Sequence, residues 1–354
     1  MIILAVESSC DETAVALVRD GRTVLADCIA SSVEMHRIYG GVVPEIASRK
    51  HIEVIAQLAD QALEQAGLSR GDIDAVAVTY APGLIGAVLV GVSFAKSVAY
   101  ALGVPLIPVH HVRGHIAANY LAHPDLEPPF VCLCVSGGTS LLVDVKGYTE
   151  MEILGATRDD AAGECFDKIA RVMGLGYPGG APLDRAAQGG NDKAFSLPRV
   201  HIQDAPLDMS FSGLKTAMLN LIHNAQQKGE ELPVADLAAS FSAAVSEELV
   251  PRTMAAAQAK GYGKVAVVGG VAANSRIRRD LEQACQAAGC TLYLPPLKLC
   301  GDNGSMIGSQ GYYEYLAGTR AGTDLNAYAN REISWPYGTG TAPVFPSPVE
   351  KSVE

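Results

Sequence analysis

The chain has 354 residues, enough for about two domains that each bury a core of their own. Hydrophobic residues make up 49% and charged residues 18%, so neither global disorder nor a fibrous repeat fits. With 27 basic against 38 acidic side chains the net charge is −11, which argues against broad nonspecific attraction to nucleic acid and leaves room only for a local patch such as Arg276, Arg278 and Arg279.

The first thirty residues predict an antiparallel meander, with strands over 2–7, 14–18 and 23–30 separated by the turns at Ser8-Ser9-Cys10-Asp11 and Asp20-Gly21. Helical spacing of Ile46, Ile52, Ile55, Leu58 and Leu63 predicts a helix over 45–66 that stops at Gly67. A buried strand over 75–79, a turn at Pro82-Gly83, an apolar helix over 84–102, a strand over 106–109 and a helix starting near His110 complete the first half. The longest apolar run, 84–95, ends at Lys96, well short of the roughly 20 residues of a membrane span, so no span is expected. The N-terminus lacks a basic segment before Glu7, which points to the cytoplasm. None of the eight cysteines forms a C-x-x-C pair; they read as buried thiols.

At Phe130 the pattern restarts. Strands over 130–135 and 141–145 flank the turn Ser136-Gly137-Gly138-Thr139, and a strand over 265–268, Gly269-Gly270 and a helix over 273–288 echo the 75–102 unit. The expected organisation is a first half over 1–125, a second over 126–320 with a polar insertion at about 177–233, and a tail over 321–354 whose Pro-rich end from Gly338 is disordered. Two such α/β halves have the layout of the actin, Hsp70 and sugar-kinase (ASKHA) folds, in which facing turns cradle phosphates from both sides of an interdomain cleft.

Several residues could carry chemistry. Ser136 to Thr139 offers backbone N–H groups and hydroxyls to a phosphate, although a plain hairpin turn explains it equally well. Gly269-Gly270 opens a helix against which an adenosine can lie, with Asn274 capping the helix or touching the ligand. His111 and His115, four apart, project from one helix face and can share a metal; Val112 stands where a zincin needs glutamate. Asp302, opening a helix over 305–316, is the candidate third ligand or merely a cap, and two histidines with one carboxylate suit ferrous iron or zinc. Asp159 and Asp160 could cap the next helix, Asp167 could meet ribose or solvent, and Tyr177-Pro178-Gly179-Gly180 with Asp184 could close over a ligand.

An ordered series of motifs then resembles the TsaD (Gcp/YgjD) family of tRNA threonylcarbamoyladenosine transferases. It includes Glu7-Ser8-Ser9-Cys10-Asp11-Glu12-Thr13, Tyr39-Gly40-Gly41-Val42-Val43-Pro44-Glu45, Ala81-Pro82-Gly83-Leu84-Ile85-Gly86, His111 with His115, Val135-Ser136-Gly137-Gly138, Phe211-Ser212-Gly213-Leu214-Lys215-Thr216-Ala217 and Asp302-Asn303-Gly304. The resemblance implies His111, His115 and Asp302 as metal ligands, with Fe(II) the expected ion and zinc the alternative. It implies Cys134, Val135, Ser136, Gly137, Gly138, Asp167, Gly180, Asp184 and Asn274 as the set that binds threonylcarbamoyl adenylate. The departures are Thr139 where the family usually has histidine, Arg113 where glutamate is frequent, and Cys165 where alanine is common; Arg113 should make the metal's surroundings more positive.

The resemblance implies transfer of threonylcarbamoyl from its adenylate to the exocyclic amine of the adenosine beside the tRNA anticodon, with Glu12 or Asp11 taking the proton. It also implies a noncatalytic paralogue, TsaB, and an ATPase, TsaE, as partners. The alternatives are a phosphotransferase of the same fold, disfavoured by the histidine pair, and a noncatalytic scaffold, disfavoured because both histidines are present.

Overall fold

The computed structural model describes residues 1–199, 202–335 and 337; the expected disorder of the tail from Gly338 lies outside them. The chain divides into two compact units, the first comprising Met1–Glu127, Tyr148–Glu150 and Gly301–Glu354, the second Pro128–Gly147 and Met151–Cys300.

In the first unit, β1 (Ile2–Glu7), β2 (Glu12–Arg19) and β3 (Thr23–Ser31) form the expected meander. After α1 (Val33–His36) and α2 (Pro44–Ala66), β4 (Ala75–Ala81) pairs parallel to β1. Helix α3 (Ile85–Leu102) leads to β5 (Leu106–His110), parallel to β4, and α4 (His111–Ala122) follows without a break, giving the sheet order β3-β2-β1-β4-β5. Both central strands are buried on both faces, which is why they read as unbroken apolar runs. By length and composition α3 could cross a membrane, but its Ala87, Val88, Val92, Ala95 and Ala99 are committed to this unit's core against β4.

The second unit repeats the plan. Strands β6 (Phe130–Val135), β7 (Ser140–Val145) and β8 (Met151–Ala156) form an antiparallel set. Helices α5 (Ala162–Val172), α6 (Gly180–Ala186), α7 (Ser212–Lys228) and α8 (Val234–Lys260) precede β9 (Lys264–Val268), α9 (Ser275–Ala288) and β10 (Thr291–Tyr293). The order β10-β9-β6-β7-β8, with β9 parallel to β6 and β10 parallel to β9, is the topology of the first sheet, as an internal duplication requires. The stretch 177–233 is not a polar insertion: Leu183, Met209, Phe211, Leu214, Met218 and Ile222 are buried in this unit's core.

The last helix, α10 (Gly304–Leu316), was expected in the second half and belongs to the first unit. Its small residues explain the placement, since Gly308 lies against Ala5 and Val18 and Gly311 against Ala77, faces that a bulkier helix could not approach. Helix α10 also packs along α4, where a Cβ at Gly114 would stand 2.6 Å from Ile307 Cδ1. That contact brings the starts of the two helices together.

Candidate metal centre and glycine-rich turn

Strand β5 delivers His111 directly into the first turn of α4, where His110 Nδ1 accepts the Val112 N–H as a cap (3.2 Å). One turn on, His115 projects from the same face. Asn303 Oδ1 accepts the Met306 N–H at the start of α10 (2.9 Å), so the cap expected of Asp302 is supplied by its neighbour and Asp302 is free to face α4. Asp302 Oδ1 lies 3.5 Å from His111 Nε2 and 3.1 Å from His115 Nε2. The three ligand atoms fall within 4.8 Å of one another, a group able to hold a metal ion.

Two observations test whether a cation fits. Neither ring nitrogen of the buried His115 has a well-aligned hydrogen-bond partner among the described residues, although Nε2 stands 3.1 Å from Asp302 Oδ1, so polar capacity is left unspent beside the carboxylate. The second is a carboxylate behind the ligands that sequence reasoning left in a motif without a role. Glu7, fully buried, accepts the His111 Nδ1–H (2.9 Å) and the Thr79 hydroxyl (2.6 Å) on Oε2 and the Ser9 N–H on Oε1; Ser9 Oγ lies 3.2 Å from His111 Nδ1. A carboxylate on Nδ1 fixes the proton there and turns the Nε2 lone pair toward the centre. The donor set of two imidazoles and a carboxylate, backed by a second carboxylate, suits a divalent transition ion.

The electrostatics follow. Burial opposes charge on Glu7, but His111 outweighs it and holds the carboxyl below its usual range. Burial likewise opposes charge on His111, and Glu7 with Asp302 pushes it up to about 9; His111 and His115 in turn bring Asp302 down to about 2 against its own burial. Glu12 behaves oppositely: burial and then the Asp11 and Asp302 carboxylates push it up to about 9, and its carboxyl hydrogen-bonds to Asp11.

Arg113 does not act as expected. Its guanidinium donates to Glu314 (2.8 Å) in a buried ion pair and to the Ile333 carbonyl (2.9 and 2.6 Å), so its charge is compensated and the centre gains no positive field from it.

In the second unit the turn Ser136-Gly137-Gly138-Thr139 joins β6 to β7 and closes through Ser136 N–H to the Thr139 carbonyl (2.8 Å). Its glycines 137 and 138 have nothing within 4 Å of where a Cβ would sit, whereas Gly269 presses on the turn from behind: its φ is +91° and a Cβ there would run into the Val135 carbonyl. Cys134 and Val135 are buried in β6. Asp167 on α5 accepts the Gly179 N–H (2.7 Å), ahead of Gly180 in the first turn of α6. Asp184 accepts the Ser275 N–H (3.1 Å) and hydroxyl (2.8 Å), and Asn274 accepts the Ile277 N–H (3.1 Å) as the cap of α9. Each of these three therefore spends at least one oxygen on holding a loop.

Asp159 caps α7, not α5, through the Phe211 and Ser212 N–H groups, while Asp160 pairs with Lys215. The arginine patch dissolves in part: Arg276 is engaged with Asp192 and Asp280, and Arg278 with the Ala272 and Pro295 carbonyls.

Residues 23–309 match the model of the family TsaD, tRNA N6-adenosine threonylcarbamoyltransferase. The chain belongs to this family. It is 52% identical over 331 residues to the tRNA N6-adenosine threonylcarbamoyltransferase of Clostridium botulinum strain 657, covering 94% of this chain and 97% of that protein. The Moorella thermoacetica enzyme of the same name is 55% identical over 325 residues, covering 92% and 95%. Among solved structures, HypF of T. kodakarensis aligns with a TM-score of 0.61 at 17% identity over 90% of this chain and 48% of that one. Component A of the Acidaminococcus fermentans (R)-2-hydroxyglutaryl-CoA dehydratase aligns with a TM-score of 0.52 at 15% identity over 89% and 99%. At these identities the structures show the fold alone, that of the ASKHA class. The family is one of transferases that act on tRNA.

Proposed function

We propose that this member of the family moves the threonylcarbamoyl group of threonylcarbamoyl adenylate onto the exocyclic amine of the adenosine beside the anticodon, releasing AMP, in the cytoplasm. The observation that carries the reading is the His111, His115 and Asp302 group backed by Glu7, in a chain about half identical to enzymes of that name. His111, His115 and Asp302 would hold Fe(II) or zinc, which when bound supplies a Lewis-acid centre for a carbonyl oxygen. Glu7 keeps the His111 proton on Nδ1, so that the ring presents a lone pair. The amine is a poor nucleophile because its lone pair is delocalised into the ring; of Glu12 and Asp11, the Asp11 carboxylate takes the proton it sheds, since Glu12, pushed up to about 9, already carries one near neutral pH. The N–H groups of Gly137 and Gly138, in the turn closed by Ser136, hold the adenylate phosphate, with Cys134, Val135, Asp167, Gly180, Asp184 and Asn274 shaping its surroundings.

A noncatalytic paralogue and an ATPase complete the system in this reading. The support within the chain is an exposed apolar set on α2 and α3, comprising Ile52, Ile85, Leu89 and Tyr100, which a partner helix pair would cover. The test is transfer of labelled threonylcarbamoyl from the adenylate to tRNA by the reconstituted proteins. Release of AMP without label on tRNA would refute the assigned acceptor, and absence of both would refute the reaction.

A further inference from the structure

The segment that follows α10 returns along the helix that carries the metal ligands, held by hydrogen bonds to its backbone and by Tyr328, whose ring packs edge-on against Tyr80. Tyr328 N–H donates to the Tyr80 carbonyl (2.9 Å) and Gly83 N–H to the Ala329 carbonyl (3.2 Å). His110, immediately before a ligand histidine, donates from Nε2 to the Arg331 carbonyl (3.1 Å), and Arg113, two residues after it, grips the Ile333 carbonyl. So fixed, the segment builds a stack: the Arg331 guanidinium lies 3.8 Å from the centre of the Tyr328 ring and 4.9 Å from that of Trp335. Ile333, between them in sequence, is buried, whereas Trp335 remains 52% exposed.

We infer that Tyr328, Arg331 and Trp335 form a stacking platform for an unpaired base of single-stranded RNA, a nucleotide neighbouring the acceptor adenosine in the anticodon loop; this rests on the reading given under Proposed function. Folding normally buries a tryptophan or covers it with a partner. Here the half-exposed indole lies 4.9 Å from a guanidinium, a contact that restricts the ring before binding and so lowers the entropic cost of stacking. An aromatic ring backed by arginine is the arrangement that receives unstacked bases in single strands. The need for it comes from the net charge of −11, which limits phosphate neutralisation, on which most RNA binders rely, to local basic patches. Stacking supplies affinity that does not depend on net charge. The anchors at His110 and Arg113 tie the platform to the helix of His111 and His115, so a base seated there is bound to the element that holds the metal centre.

Trp335 is the only tryptophan in the chain, so its fluorescence reports this position alone. The full-length protein is titrated with a synthetic anticodon stem–loop RNA and, separately, with a blunt duplex of the same stem. Saturable quenching by the stem–loop and little by the duplex is expected. Trp335→Ala should weaken stem–loop binding, read by anisotropy of labelled RNA, about 10-fold, and Trp335→Phe should recover much of it. Bound metal should be unchanged in both variants. Equal quenching by loop and duplex, no quenching at saturation, unaltered affinity in Trp335→Ala, or quenching by a partner protein and not by RNA would each overturn the platform. A failure of threonylcarbamoyl transfer in the reconstituted system would instead count against the reaction, since the fluorescence titration needs neither donor nor metal.

Discussion

Replacing Glu7 by glutamine changes one atom of a buried side chain and tests the logic of the metal centre. The carboxylate accepts from three donors, the Ser9 N–H, the Thr79 hydroxyl and the His111 Nδ1–H. A carboxamide keeps one acceptor oxygen. If that oxygen faces Ser9, the amide NH2 faces His111 and drives the imidazole proton to Nε2, where the ligand lone pair is required. If it faces His111, two buried N–H donors confront each other at Ser9, at a cost of about 1–3 kcal/mol. The first orientation mis-sets the ligand and the second strains the shell behind it, and the expected loss of metal affinity is about 10- to 100-fold, the usual effect of disturbing a partner behind a ligand, or roughly 1.4–2.7 kcal/mol. Anaerobic competition against a chromogenic chelator, with Fe(II) and again with Zn(II), measures it, and circular dichroism checks the fold. A folded Glu7→Gln protein that binds both ions as tightly as the wild type would refute the argument.

Four further outcomes follow from the geometry. Gly137→Ala meets no neighbouring atom, so its melting temperature should match the wild type while calorimetry shows weakened AMP binding; undiminished binding would move the phosphate site elsewhere. Gly269→Ala, with φ of +91° and the Val135 carbonyl in its way, should instead cost more than about 2 kcal/mol of stability in denaturant titrations. Glu314→Leu strands the buried Arg113 guanidinium and should cost about 3–5 kcal/mol, a loss below about 1 kcal/mol contradicting the pair's structural role. Burial holds His51 below its ordinary 6.5, with Nε2 donating to the Cys10 carbonyl and Nδ1 accepting from Thr13. Its folded value is the depressed one, so its contribution to stability is present above pH 6.5 and is lost as the pH falls below it. Melting curves of His51→Phe should therefore show a flatter acid limb than the wild type, and an identical limb would exclude the ring as its source.

The doubled fold was legible because its central strands are buried on both faces and its turns are polar, a contrast that survives in one dimension. The strands of 2–7, 75–81 and 130–135 stand out as apolar runs for that reason. What failed were segments whose role is set by distant partners. The 27-residue α8 carries small residues on most sides and shows no clear stripe, and β8 is half exposed and short. The allegiance of α10 rests on Gly304, Gly308 and Gly311 fitting against β1, β2 and β4, a complementarity that no local window contains. The buried apolar side chains of 177–233 were hidden among glycines and polar residues, so composition suggested an insertion where packing makes a core wall.

At the site the same division holds. His111 and His115 announce themselves because one helix fixes their geometry, but Arg113 between them was misjudged: spacing places a side chain on a face without saying which carboxylate, 201 residues away, will neutralise it. Glu7 carried a signal that deserved weight on physical grounds. A carboxylate closing a run of five apolar residues in a strand buried on both faces would cost several kcal/mol unless charge and hydrogen bonds met it. His111, Thr79 and Ser9 meet it here, and the protein thereby holds a second negative group behind two imidazoles. A buried carboxylate so placed makes the fold depend on the same contacts that orient the ligand. Stability and metal affinity should therefore fall together in variants of Glu7, and separately in variants of Asp302, which lies at the mouth of α10 and anchors no strand.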